Sequence, residues 1–125
     1  AGAAYGMQIL KINLSSIICL VPVYVGGGTI TFSHGTLDVP APATVQIIED
    51  FKIPTKPGPV EQELFTPTGA AILAALTKEF IPRDIYFSTY KNIKLKESAG
   101  FGSLKITGEK QRPNGLYLYL KELKV

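Results

Sequence analysis

Glycine and proline punctuate this chain so closely that its elements must be short. Among 125 residues there are 12 Gly and 9 Pro. Pro22, the run Gly26-Gly27-Gly28, Gly35, Pro40 and Pro42 break the first third, and Pro54, Pro57, Gly58, Pro59, Pro67 and Pro82 break the middle. Proline lacks a backbone N–H and holds φ near one value, so it starts or stops elements, while glycine opens turns. Between the breaks the hydrophobic pattern changes period. Ala1 to Leu14 is rich in helix formers, predicting a helix around 2–13. Ile17 to Val25 is dense in Val, Ile and Tyr, as a buried strand would be, and Thr29 to Ser33 alternates as a second strand. His34-Gly35 marks a turn, and Thr36 to Pro42 is extended ahead of its prolines.

Two segments predict helices more firmly. Pro42 suits the first turn of a helix over 42–51, with Val45, Ile47, Ile48 and Phe51 inward and Gln46, Glu49 and Asp50 outward. Thr66 can cap a helix over 67–80, with Pro67 at its first position and Ala70, Ile72, Leu73, Leu76 and Phe80 on the buried side. Between them Val60 to Phe65 is a short strand candidate with Glu61 and Glu63 on one face. Asp84 to Glu97 and Leu104 to Val125 alternate as strands, separated by Gly100-Phe101-Gly102, with Arg112-Pro113-Asn114-Gly115 as a hairpin turn. The expected architecture is α+β: a two-layer fold with a mixed, mostly antiparallel sheet and two to three helices on one face, forming a single domain over residues 1–125.

Composition excludes several classes of function. The chain is 46% hydrophobic and 18% charged, too apolar for disorder. Its longest apolar run, Ile17 to Val25, is broken by Pro22 and is less than half of the ~20 residues a membrane span needs. One cysteine and one histidine rule out an internal disulfide and a His-rich metal site within this chain. The first residue is Ala1 and no basic region precedes an apolar one, which argues against a secretory leader and for a soluble, cytoplasmic protein. Residues 1–82 carry a net charge of −2 and residues 83–125 one of +5. The basic half alternates lysine with apolar residues, as the solvated faces of strands do, and has no Arg cluster or aromatic platform for nucleic acid.

The polar residues that could carry chemistry are His34, Asp38, Glu61, Glu63, Thr66 and Thr68, all on loops or element ends. Imidazole with carboxylates suits a divalent transition metal. A lone histidine before glycine is equally the residue of an ordinary turn. The helix beginning at Thr66 could hold an anion on free N–H groups and hydroxyls, with Gly69 and Ala70 admitting close approach. Ordinary capping accounts for the same residues. The triple glycine is followed by strand-like alternation, which argues against a phosphate loop. Cys19, inside an apolar strand, reads as buried and inert.

Three stretches go further. Gly26-Gly27-Gly28, the run from His34 to Thr44 (H-G-T-L-D-V-P-A-P-A-T) and the run from Glu63 to Ala71 (E-L-F-T-P-T-G-A-A) resemble the LarC family of nickel-insertion proteins. Gly100-Phe101-Gly102 and Arg112-Pro113-Asn114 fall where that family has a Gly-rich turn and a P-N-V-L-R segment, and Ala1 to Leu14 resembles the end of its preceding helix. Asp38 stands where the family usually has proline, and Gly115 and Tyr117 replace the Val and Arg of the last motif. The family's acidic, Gly-rich N-terminal signature, its His-rich segment and its C-terminal nucleotide-binding region are missing from the sequence.

The resemblance implies part of a nickel chelatase that places Ni²⁺ into pyridinium-3,5-bisthiocarboxylic acid mononucleotide, with carbon–metal and sulfur–metal bonds formed. CTP and a divalent cation are implied for full-length members, not for this central fragment, which is expected to be inactive alone. His34 and Glu63 are the implied catalytic and metal-handling residues, and Thr66, Thr68, Gly69 and Ala70 would bind the mononucleotide. Expected partners are that small molecule, the missing N- and C-terminal segments and further copies of the chain, with neither nucleic acid nor membrane. The competing expectation is a non-catalytic scaffold or assembly domain with an anion-binding helix N-terminus.

Overall fold

Proline and glycine set the boundaries in the folded chain as well. The computed structural model describes residues 17–90 in full, and residues 95–104 and 112–119 as backbone. The described residues up to Tyr86 form one compact unit, and those from Phe87 onward belong to a second. The first unit begins with β1 (Ile18–Val21) and β2 (Val23–Gly26), separated by Pro22. A hairpin of β3 (Thr29–Phe32) and β4 (Gly35–Asp38) follows, then α1 (Pro42–Phe51), β5 (Thr55–Pro57), α2 (Pro67–Leu76), β6 (Glu79–Pro82) and the short α3 (Arg83–Thr89). In the second unit β7 (Leu95–Leu104) pairs antiparallel with β8 (Arg112–Tyr119).

The α+β class is the one expected. The strands, however, form four two-stranded ladders among the described residues, not one sheet. β1 runs parallel to β6 and β2 parallel to β5, while β3–β4 and β7–β8 are antiparallel. The physical reason is Pro22. It interrupts the run from Ile17 to Val25, and its two halves take different partners. A parallel pair needs a crossover, and α1 lies on the one between β2 and β5 while α2 lies on the one between β1 and β6.

α1 occupies the expected residues. Pro42 sits in its first turn, and it ends with Lys52 in a left-handed conformation at φ 51°. Lys52 N–H donates to Glu49 O at 3.3 Å and Ile53 N–H to Ile48 O at 3.0 Å, the paired bonds that close a helix on a left-handed residue. α2 starts at Pro67 as expected but stops at Leu76, four residues early. Phe80 lies in β6 opposite Cys19, so its stretch of backbone pairs with β1 in place of a further helical turn. The strand expected at Val60 to Phe65 is an irregular loop with one bridge, Glu63 to Gly26. The strand expected from Asp84 begins as α3, with Asp84 in its first turn where a negative charge suits the helix dipole. Gly100-Phe101-Gly102 and Asn114-Gly115 are not turns. They face each other across the β7–β8 ladder, Gly102 opposite Asn114 and Phe101 opposite Gly115. The helix expected over 2–13 lies outside the described residues.

The core of the first unit is Val25, Ile53, Phe65 and Ala70, with Val23, Ile47, Ile48, Leu73, Ala74 and Phe80 packed against it. Two residues assigned inward from sequence are on the surface: Phe51 is 54% exposed and Ile72 46%. Gly26 shows why a glycine is needed at the end of β2. Its φ is +89°, and a Cβ there would overlap the carbonyl oxygen of Gln62. Gly35, at φ +138°, has open space around it. Gly35→Ala should therefore cost only its backbone strain, about 1–3 kcal/mol. Gly26→Ala should cost more than about 4 kcal/mol, since the clash is with main chain that cannot move aside. Urea unfolding midpoints of the two variants against the parent chain check the order.

Candidate functional site

The end of β2 and the loop from Glu61 to Thr66 are laced together by main-chain bonds. Gly26 and Gly58 exchange hydrogen bonds at 3.2 and 2.8 Å, Gly27 N–H donates to Gln62 O at 3.3 Å, and Leu64 N–H donates to Val25 O at 3.1 Å. The chain can come this close because Gly26 has no side chain. The Glu61 carboxylate lies over the next two glycines: a Cβ on Gly27 would be 3.3 Å from either of its oxygens, and one on Gly28 3.1 Å from Oε2. A negative group therefore occupies the glycine cradle, an unfavourable place for a phosphate. On the same loop Glu63 is half-buried, and its Oε1 is sealed from solvent with no hydrogen-bond partner among the described residues. A buried carboxylate oxygen left in that state is costly, and a proton, a cation or a donor would relieve it.

The loop then enters α2 through an ordinary cap. Thr66 Oγ1 accepts from Gly69 N–H at 3.1 Å, and Thr66 O accepts from Ala70 N–H at 2.9 Å. A Cβ on Gly69 would lie 3.3 Å from Thr66 Oγ1, a tight contact at this cap. Ala70 is completely buried, so it offers close packing beneath the helix start. Thr68 is exposed, and its hydroxyl and amide are the donors this end of α2 can present to a ligand.

His34 sits elsewhere. The β3–β4 hairpin runs from the pair Thr29–Asp38 at its base to the pair Phe32–Gly35, and exposed His34 lies in the turn beyond. Three register steps carry that turn about 10 Å from the hairpin base. The base is where Val39 N–H bonds Gly28 O at 2.9 Å. Asp38 is at this base and, with Thr36, Pro40, Pro42 and Gln46, lines an open groove of about 450 Å³ beside the start of α1. Of the six polar residues singled out from sequence, Glu61, Glu63, Thr66 and Thr68 share one loop and helix start. No hydrogen bond or ion pair ties His34 to Glu63 among the described residues. Nor do three or more His, Cys, Asp or Glu side chains gather there closely enough to hold a metal ion.

Sequence reasoning passed over Thr44. It is the one fully buried polar side chain among the described residues, and its hydroxyl donates to Phe65 O at 3.4 Å, bridging α1 to the residue before the α2 cap. A threonine in the first turn of a helix reads as ordinary, and only its partner 21 residues away marks it out. Cys19 is half-buried, and burial raises its thiol above the ordinary value.

A model of the nickel insertion protein family matches residues 1–124. The chain belongs to the nickel insertion protein family. The pyridinium-3,5-bisthiocarboxylic acid mononucleotide nickel insertion protein of Clostridium kluyveri is 42% identical over 121 residues, covering 97% of this chain and 27% of that protein. The protein of the same name from Clostridium acetobutylicum is 40% identical over 121 residues, 97% of this chain and 25% of its own length. A relative from Methanothrix thermoacetophila is 48% identical over 81 residues, 65% of this chain and 20% of that protein. The chain thus spans between about a fifth and just over a quarter of these relatives. No solved structure matches it. No helix among the described residues is long and apolar enough to cross a membrane.

Two measurements check the local geometry. Thr66→Ala removes the capping oxygen and should cost about 1 kcal/mol in urea unfolding, with Thr66→Ser close to the parent. Cys19 should react with iodoacetamide more slowly than free cysteine at pH 8, and speed up only as pH passes the ordinary thiol range. Because its thiol is raised in the folded chain, stability is constant below that range and falls as pH climbs through the raised value.

Proposed function

We propose that this chain is one domain, the central part of a longer nickel insertion protein that acts in the cytoplasm as a homo-oligomer and places Ni²⁺ into pyridinium-3,5-bisthiocarboxylic acid mononucleotide. Family membership across residues 1–124 carries this reading, and the name of the two Clostridium relatives supplies the substrate. Nickel is a substrate here, not a resident cofactor. CTP and a divalent cation belong to the full-length protein, and the chain alone is not competent to complete the reaction.

The residues divide the work by position. Thr68, at the exposed start of α2, holds the phosphate or a carboxylate of the mononucleotide through its amide and hydroxyl, aided by the helix dipole. Thr66, Gly69 and Ala70 shape that start, and the cap keeps it rigid. Glu63 brings a half-buried carboxylate to the loop beside that start, suited to accept a proton from the acceptor carbon or to ligate nickel as the carbon–metal bond forms. His34, exposed on its hairpin tip, meets nickel from solution with one imidazole nitrogen and releases it again, since a single nitrogen ligand binds weakly enough to let go.

A scaffold role is the second reading, and the α2 cap favours it, because Thr66, Gly69 and Ala70 are accounted for without any ligand. Nickel incorporation by the full-length protein, read by mass spectrometry of the mononucleotide, separates the two. Glu63→Gln should lower the rate by about 10²-fold or more, as for loss of a general base. His34→Ala should lower incorporation at limiting nickel by about 10-fold or more and recover with excess metal. Undiminished incorporation in both variants removes the catalytic roles and leaves the scaffold.

A further inference from the structure

We propose that Thr44 is a positioning residue, whose buried hydroxyl holds the Phe65 carbonyl and so sets where the start of α2 lies relative to Glu63. Thr44 is 0% exposed and Phe65 5% exposed, so the bond between them is made away from water. A buried carbonyl that loses its donor must find another or move. Phe65 lies two residues after Glu63 and one before the Thr66 cap. Upstream, the same loop is held by Gly27 N–H on Gln62 O and by Leu64 N–H on Val25 O. Those two bonds place Glu63 but end at Leu64. From there to the cap, the Phe65 ring packs in the core, and Thr44 on α1 supplies the hydrogen bond to its main chain from another element.

The side chain is suited to the task on both counts. Its β-branched shape is stiff and fills a fully enclosed site, and its hydroxyl supplies the one donor that valine, of nearly the same volume, lacks. The tie also explains why the run from His34 to Thr44 and the run from Glu63 to Ala71 belong together. The last residue of the first reaches across 21 positions to the third residue of the second.

The kinetic part of this inference rests on the function proposed above, and the test keeps the two apart. In the 125-residue chain, amide hydrogen exchange compares Thr44→Val and Thr44→Ser with the parent. In Thr44→Val the amides of Gly69 and Ala70, which close the α2 cap, should exchange about tenfold faster. Those of Val23 and Ile53, bonded elsewhere in the core, should be unchanged, and Thr44→Ser should match the parent. A uniform rise at all four amides means a merely structural residue and overturns the proposal, as does no rise at all. Should Thr44→Val fail to fold, Thr44→Cys takes its place, keeping a weak donor in a similar volume, with the same local rise expected at lower size. In the full-length protein, Thr44→Val should raise KM for the mononucleotide about tenfold with kcat changed less than twofold, and Thr44→Ser should restore KM. An unchanged KM overturns the proposal even where wild-type insertion is normal. If the wild-type protein inserts no nickel, the proposed function falls, while the exchange measurement still decides whether Thr44 sets the helix start.

Discussion

The carbonyl of Gln62 rests against the bare α-carbon of Gly26, and the first unit is organised around that approach. β2 contributes Val25 to the core and ends in Gly26, whose left-handed backbone turns the chain away just as the 61–66 loop comes alongside. The bonds from Gly26, Gly27 and Val25 to Gly58, Gln62 and Leu64 replace a regular strand pair with a short irregular one. Irregular backbone is tolerated in a packed region only when its polar groups find partners, and here they find each other. Phe65 can then drop into the core beside Val25, and Thr66 emerges at the surface to start α2.

That arrangement separates the charges of the site. The glycine run looks like a place for an anion, but the Glu61 carboxylate lies over it and claims it for negative charge. At the α2 start, by contrast, Thr68 is exposed and no carboxylate follows in sequence until Glu79. Glu63 lies between them, with one oxygen shut away from water. The loop thus exposes one carboxylate and buries an oxygen of the other. His34 lies in the turn of a hairpin whose strands have four residues each.

Much of this was legible before folding. Pro42 and the turn ahead of Pro54 bounded α1 at the residues it occupies, and Thr66-Pro67 announced the start of α2, because capping and proline chemistry act within one turn. The misread boundaries share a cause. Phe80 continues the apolar period of α2, yet Cys19 waits for it across β1, and a ladder bond outcompetes one more helical turn. Asn114-Gly115 has the composition of a hairpin turn, but its neighbours Pro113 and Arg112 pair with Ser103 and Leu104, so the dipeptide lies inside a strand. Phe51 and Ile72 follow helical period and still face outward, since a ten-residue helix packed on one side cannot bury every apolar residue it carries.

The amino-acid order alone determined the α+β class, the starts of α1 and α2, the shortness of strands β1 to β6 and the motifs that mark the nickel insertion protein family, because each rests on chemistry between residues a few positions apart. What folding decided is which of those pieces meet. Gly26 against Gln62, Cys19 opposite Phe80, and Thr44 reaching Phe65 all join residues far apart in sequence, and no local period encodes such a meeting. The register that sets His34 in the turn beyond Phe32 and Gly35, and Glu63 opposite Gly26, is of the same kind.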